Sequence, residues 1–131
     1  MYPFLLLLFA QATATSSRPV DFGRIEAEMA ADADVLKSLE RNGDDPTIKR
    51  PVDVRFVGQV GNIVKLQNEI GALGWRVVQR VPVDGGEMAL DVQTDQTTDR
   101  AAIRNLTEAA LSVEEKYGVR YDGWGTVATK P

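Results

Sequence analysis

From Arg50 onward, the apolar residues switch between the spacing typical of strands and the spacing typical of helices. The resulting order of strands and helices constrains the fold more than any other feature. Alternation of apolar and polar residues indicates a strand, whereas spacings of three and four indicate a helix. By this criterion the chain contains strands at 50–58, 75–81, 87–94 and 119–128, with helices at 62–73 and 99–117. The predicted order is therefore β-α-β-β-α-β.

This order predicts an α+β domain with a ferredoxin-like fold, in which two helices cover one face of a four-stranded antiparallel sheet. Two β-α-β units joined by a hairpin satisfy the right-handed crossover rule. The Asp-Gly-Gly sequence at 84–86 supplies the hairpin turn. Glycines at 123 and 125 predict an edge position, a bulge or a close approach in the last strand. We expect a single domain over residues 21–131.

Each of the two sandwich helices has one apolar stripe. The stripes are formed by Ile63, Leu66, Ile70 and Leu73 in the first helix, and by Ile103, Leu106, Ala110, Val113 and Tyr117 in the second. We expect Asn62 to cap the first helix and one of residues 97–99 to cap the second. Gly74 and Gly118 are the predicted helix ends. Gly71, in the last turn of the first helix, predicts a close packing contact.

An additional helix precedes the first strand and lies in the most acidic segment of the chain. Its apolar stripe is formed by Phe22, Ile25, Met29, Leu36 and Leu39. Asn42-Gly43 predicts a left-handed end to this helix. Residues 21–45 hold eight acids and three bases, a net charge of −5, whereas from Pro46 onward eleven acids meet eleven bases. Such a segment is either a solvated helix face or a surface that attracts a basic partner.

Little in the sequence points to catalysis. The chain has no cysteine and no histidine, which excludes disulfides, thiolate chemistry and any catalytic triad built on these residues. The Gly-Gln-Val-Gly run at 58–61 lacks the remaining residues of a nucleotide-binding loop, so we interpret it as a strand-to-helix turn. Asp91, Asp95 and Asp99 fit an outer strand face and a helix cap better than a metal site. We therefore predict no catalytic residue, no metal and no cofactor.

The first twenty residues differ in character from the rest of the chain. Residues 4–10 form an uninterrupted apolar run, and Ala-x-Ala patterns follow it, as in a secretory signal peptide. The run is too short to cross a bilayer, which takes about 20 residues. Residues 1–20 are therefore either a signal-like segment, with Met1 to Ala14 cleaved from an exported protein, or a non-native tail on a cytoplasmic one. Residues 11–19 are typical of a linker.

The sharpest local signal lies near the C-terminus, where Tyr-Gly at 117–118 is followed by Tyr-Asp-Gly-Trp at 121–124. These residues resemble the terminal signature of the family named for regulator of ribonuclease E activity B. Further similarity lies in Asn-Gly-Asp-Asp at 42–45, in Val-Asp-x-x-Phe at 52–56 and in Leu-Gly-Trp at 73–75. The Tyr-Asp-Gly-Trp motif is the most specific of these similarities.

The resemblance covers about residues 25–128 and implies a ferredoxin-like, cytoplasmic protein. It also implies that the chain binds ribonuclease E and reduces its cleavage of RNA without catalysing a reaction. We expect a protein partner and no direct contact with nucleic acid, because the chain has no basic stripe. The alternative from a different class is a small-molecule-sensing module, exported if the start is secretory, since ferredoxin-like domains also pair their sheets around ligands.

Six residues are candidates for partner binding: Tyr121, Asp122, Gly123, Trp124, Asp44 and Asp45. In a regular strand, Tyr121 and Gly123 point to one side, and Asp122 and Trp124 to the other. A tryptophan between glycines can form a flat exposed anchor, with Asp122 beside it to meet an arginine. Alternatively, Trp124 packs beneath the N-terminal helix and Asp122 caps a turn or accepts backbone hydrogen bonds.

A mechanism follows from the acidic segment at 21–45. The segment would attract a basic, disordered region of a ribonuclease assembly, and an exposed face or edge strand would then hold that region. Competition with RNA for the same basic region would reduce cleavage. Binding of this kind should weaken as salt is added, because exposed charges are screened beyond about 8 Å at physiological ionic strength.

Overall fold

The computed structural model describes residues 22–131, so the predicted tail at 1–20 lies outside the described residues. The main elements follow in chain order: α1 Phe22–Arg41, β1 Arg50–Gly58, α2 Val60–Glu69, β2 Arg76–Pro82, β3 Met88–Gln96, α3 Arg100–Tyr117 and β4 Arg120–Gly125. Short 3₁₀ turns at Ile70–Leu73 and Asp84–Gly86 extend α2 and connect β2 to β3. The predicted order of strands and helices is confirmed.

The four strands form one antiparallel sheet in the order β2-β3-β1-β4. This is the strand order of a ferredoxin-like sandwich, so the predicted fold is confirmed. β1 and β3 occupy the centre of the sheet, where Val52, Val54, Phe56, Leu90 and Val92 are all fully buried. α1 packs beside α3 and adds Val35 and Leu39 to the same core.

The apolar stripes of the two sandwich helices face this core, with one exception. All five stripe residues of α3 are buried, as are Ile63, Leu66 and Ile70. Leu73 is 49% exposed, so its predicted burial is wrong. The chain tightens from an α-helix to a 3₁₀ turn at Ile70, and the shorter turn of about three residues rotates Leu73 away from the stripe.

The helix ends follow the sequence signals closely. Gly43, Gly74 and Gly118 have φ angles of 80°, 87° and 66°, in the left-handed region that favours glycine. The Asp99 side chain accepts a hydrogen bond from the Ala102 amide at 3.2 Å and so caps α3. The three helices thus end at or next to the predicted glycines.

Two finer predictions about α2 are wrong. Gln59 occupies the N-cap position, and Asn62 lies inside the first turn, where its side-chain amide donates to the Gly118 carbonyl at 3.3 Å. Asn62 therefore binds a residue that is distant in the sequence and does not cap α2. A Cβ atom added at Gly71 would have no heavy atom within 4 Å, so the close contact predicted there is absent.

Candidate protein-binding surface

The Tyr-Asp-Gly-Trp motif forms β4, and a β-bulge sets the direction of its side chains. Phe56 pairs with Tyr121 and Val54 with Trp124, so one β1 residue faces two residues of β4. The extra residue is a bulge, and Gly123 adopts a φ of 97° within it. Tyr121 and Trp124 therefore both face the helices. The opposite directions expected from regular alternation are wrong, because alternation fails across a bulge.

Trp124 is buried beneath α1, with 1% of its surface exposed. Its indole Nε1 donates to Oδ1 of Asp32 at 2.8 Å. The Thr107 hydroxyl donates to Oδ2 of the same carboxylate at 2.6 Å. The Asp32 carboxylate thus joins α1 to both α3 and β4. A partner could not reach the indole without moving α1, so Trp124 does not form an exposed anchor.

Tyr121 is also inside the protein, and its backbone amide and carbonyl are hydrogen-bonded at the outer edge of β4. Its ring lies 6.0 Å from that of Phe56, and its surface is fully buried. Burial raises the pKa of the Tyr121 hydroxyl well above its usual value. The Tyr121 amide donates to Oε1 of Glu114 at 2.8 Å, and Nη2 of Arg24 donates to the Tyr121 carbonyl at 3.4 Å. Side chains from α3 and α1 thus occupy this edge.

The inner face of α1 is partly ionic. Glu28 and Asp32 are 1% and 5% exposed, and burial raises the pKa of both carboxyl groups. Arg24 contacts Glu28 on the same helix and donates to Glu114 of α3 at 2.7 Å. Two of the acids that were expected on a solvated or partner-facing surface are therefore internal. Their spacing of four residues, in line with Val35, was the available signal.

Asp44 holds three segments of the chain together. It accepts hydrogen bonds from Arg50 Nη1 at 2.7 Å, from the Thr129 amide at 2.7 Å and from the Thr98 hydroxyl at 3.1 Å. The Asp44 side chain is only 3% exposed. This carboxylate therefore ties the loop after α1 to the start of β1, to the loop before α3 and to the C-terminal segment.

Asp45 is engaged locally. Its Oδ1 accepts hydrogen bonds from the Thr47 hydroxyl at 2.7 Å and from the Thr47 amide at 3.0 Å. These hydrogen bonds lower the pKa of the Asp45 carboxyl group. The Asp45 amide in turn donates to the Thr129 carbonyl at 2.7 Å. Like Asp44, this residue stabilises the loop through contacts within the chain.

Asp122 is the candidate of the β4 motif whose side chain is not in the core. It is half-buried on the helix-free face of the sheet, near Arg55 and Arg120. Burial raises the pKa of the Asp122 carboxyl group, and the two arginines oppose that rise. The bulge that turns Tyr121 and Trp124 inward therefore leaves Asp122 on the opposite side, within reach of a partner.

A network of polar side chains covers the helix-free face around Asp122. Arg55 donates to both oxygens of Asp91, at 2.7 and 2.9 Å, and Gln79 donates to Oδ2 of Asp91 at 2.7 Å. Asp91 is fully buried although no helix lies above it, because long side chains lie across the sheet. This network joins β1, β2 and β3. The sequence analysis predicted an outer strand face for Asp91, but its pairing with Arg55 depends on strand register.

A second polar chain runs beside the first. Arg76 of β2 donates to Oε1 of Gln93 at 2.6 Å and to Asp95 at 2.8 Å. The Gln93 amide in turn donates to Oδ1 of Asp53 at 2.8 Å. The helix-free face is therefore a polar surface that carries charges of both signs.

The sequence model of the family described as regulator of ribonuclease activity B matches residues 29–126. This match includes every strand and most of α1. The chain belongs to this family. No curated protein matches the chain. The predicted family is confirmed, and a family of ribonuclease regulators implies a protein partner.

All six candidate residues lie within the part of the chain that matches the regulator of ribonuclease activity B family. In this family member, five of them contribute to the core, the bulge or the loop, and Asp122 lies on the polar face. Over residues 22–131, no helix is long and apolar enough to cross a membrane. Within the same range, no group of three or more acids is placed to hold a metal ion.

Proposed function

We propose that this protein regulates a ribonuclease by binding the enzyme directly, without catalysing a reaction itself. The observation that supports this is the match to regulators of ribonuclease activity over nearly the whole described fold. Ribonuclease E is the enzyme that the sequence resemblance implies. On this proposal the chain acts in the cytoplasm, where it meets the ribonuclease, and lowers the rate of RNA cleavage.

The helix-free face is the surface we propose for the first contact with the ribonuclease. Asp122 lies there near Arg55 and Arg120, and charged groups of both signs suit the polar rim of a reversible interface. Trp124 acts indirectly, because its hydrogen bond to Asp32 holds the strand that presents Asp122. Gly123 acts in the same way through the bulge.

Electrostatic attraction by α1 contributes less to this proposal than the sequence count suggests. Glu28, Asp32 and Asp44 point into the protein, so their charges do not face a partner. The exposed acids of α1 are Glu26, Asp34 and Glu40, and the exposed bases Lys37 and Arg41 offset two of these three charges. We therefore expect only a modest weakening of binding as salt is added.

The test combines a binding measurement with an activity measurement. Purified full-length protein is titrated against purified ribonuclease E, and cleavage of a fluorescent RNA is followed in parallel. We expect saturable binding and a matching fall in cleavage rate. Asp122→Asn should weaken both by about fivefold, because it removes one charge and keeps the side-chain shape.

Asp34→Asn is the matched control, since Asp34 is an exposed acid on α1, remote in sequence from the polar face. It should bind and inhibit like the unmodified protein. Unchanged RNA cleavage at saturating protein would contradict the proposed function. Equal effects of the two substitutions would contradict the role of Asp122 while leaving the function intact.

A further inference from the structure

The two edges of the sheet differ in how their outer backbone groups are occupied. At the β4 edge, Glu114 accepts a hydrogen bond from the Tyr121 amide, and Arg24 donates one to the Tyr121 carbonyl. At the other edge lies β2, which pairs with β3 on one side only. No strand within residues 22–131 pairs with its outer side. An edge strand of this kind offers a row of backbone donors and acceptors to an incoming strand.

Exposed apolar side chains are concentrated at the β2 edge. Five large apolar residues among those described are exposed: Val60, Leu73, Val77, Val78 and Val127. Three of the five lie within six consecutive positions, with Leu73 just before β2 and with Val77 and Val78 inside it. Val77 and Val78 are each 38% exposed. A partner strand at this edge would lie beside Val77 and Val78.

The charge of β2 selects among possible partners. The strand Arg76–Pro82 contains two arginines and no acid. Arg80 donates to the neutral Gln67 side chain at 3.0 Å, so that bond does not neutralise its charge. Arginines on an edge strand disfavour pairing with a second copy of the same strand, because like charges would then face each other. Arg76 already pairs with Asp95 at 2.8 Å, so Arg80 is the residue whose charge favours an acidic segment.

A bulge shapes the middle of this edge. The pairing of β2 with β3 shifts between Val77 and Gln79, which leaves Val78 as the extra residue. The bulge tilts Val78 out of the regular alternation, and its side chain is exposed at the edge. An incoming strand would therefore meet an apolar contact at the centre of β2 and the charge of Arg80 two residues further along.

We propose that the outer edge of β2 binds an extended segment of the ribonuclease that carries acidic and apolar side chains, as an added fifth strand. Strand addition of this type takes affinity from backbone hydrogen bonds and specificity from the flanking side chains. The inference rests on the proposed function, since it names the part of the regulator that holds the enzyme. The helix-free face lies next to this edge through Arg76 and Gln79, so one partner could contact both surfaces.

The test uses full-length protein, purified ribonuclease E and two variants of the β2 edge. Val78→Lys places a charge in the apolar centre, and Arg80→Glu reverses the charge that faces an acidic segment. Val127→Lys and Arg104→Glu are matched controls at exposed positions outside β2. Each β2 variant should weaken binding by about tenfold or more. Each control should remain within about twofold of the unmodified protein.

Hydrogen exchange provides a second measurement that needs no variant. Backbone amides of β2 should exchange more slowly when ribonuclease E is bound, because an added strand would accept their hydrogen bonds. This remains informative even if a substitution in β2 prevents folding. Unchanged exchange in β2 at saturating ribonuclease would overturn the inference.

The outcomes separate the two proposals. Binding by the unmodified protein with loss in both β2 variants supports strand addition. Binding that both β2 variants retain overturns strand addition and leaves the regulatory function standing. No binding by the unmodified protein overturns both.

Discussion

The carboxylate of Asp32 accepts the indole hydrogen of Trp124 at 2.8 Å and so fastens α1 to the strand that carries the most specific sequence motif. The Thr107 hydroxyl occupies the second oxygen of the same carboxylate. Asp32, Thr107 and Trp124 lie far apart in the chain, and their buried polar groups are hydrogen-bonded to one another. The motif tryptophan belongs to the packing of α1, and this relationship leads to the first prediction.

Asp32→Ala should destabilise the protein by about 3 kcal/mol, because two buried donors lose their shared acceptor. Urea unfolding followed by tryptophan fluorescence measures this loss. Asp34→Ala, on the exposed side of the same helix, should have almost no effect. Similar losses in the two variants would mean that the Asp32 carboxylate is not the link that holds α1.

The second prediction concerns the pH dependence of stability. Burial raises the pKa of Glu28 above its ordinary 4.5, despite the nearby charge of Arg24. The stabilising contribution of Glu28 is therefore complete below pH 4.5 and is lost as the pH rises through its native pKa. Glutamine does not titrate, so Glu28→Gln should gain stability relative to the unmodified protein as the pH rises toward neutrality.

Urea unfolding from pH 4.5 to neutral pH, with Glu26→Gln as an exposed control on the same helix, tests this sign. The charged groups near Glu28 are Arg24, Asp32 and Glu114, and they are present in both proteins, so their titration largely cancels in the difference. A stability difference that stays flat with pH would contradict the prediction.

The third prediction concerns the bulge. Gly123→Ala should cost about 1–2 kcal/mol, because an L-residue with a side chain is strained at a φ of 97°. Gly61→Ala is the matched control, since Gly61 lies in α2 with no heavy atom within 4 Å of an added Cβ. That control should be neutral or stabilising by up to about 1 kcal/mol. Thermal unfolding of both variants and of the unmodified protein measures these stability differences. Equal stability of the two variants would contradict the prediction.

The fourth prediction concerns Asp44. Asp44→Ala leaves Arg50 buried without its carboxylate partner and should cost about 3–5 kcal/mol. Asp45→Ala should cost less, since its hydrogen bonds are local to Thr47. Amide exchange of Thr129 should accelerate in Asp44→Ala, because its acceptor is lost. Equal stability of the two variants would show that Asp44 does not hold the three segments together.

The polar contacts of α1 and of the helix-free face could not be predicted from the sequence. The sequence predicts Glu28 and Asp32 as part of a solvated or partner-facing acidic segment, because acidic side chains are usually exposed. Their burial depends on Thr107, Trp124 and Arg24, which only the packing of α1 brings near. The same holds for Asp91, whose partners are set by the register of three strands.

The sequence by itself determined the order of the elements, the helix ends at Gly43, Gly74 and Gly118, and the family. These features are local, because spacing and left-handed glycines act within a few residues. The tertiary structure decided which side chains of β4 face inward. One extra residue at the bulge reversed the alternation, so Tyr121 and Trp124 pack in the core while Asp122 remains on the polar face. Pairing between distant strands, which no local spacing encodes, fixes that register.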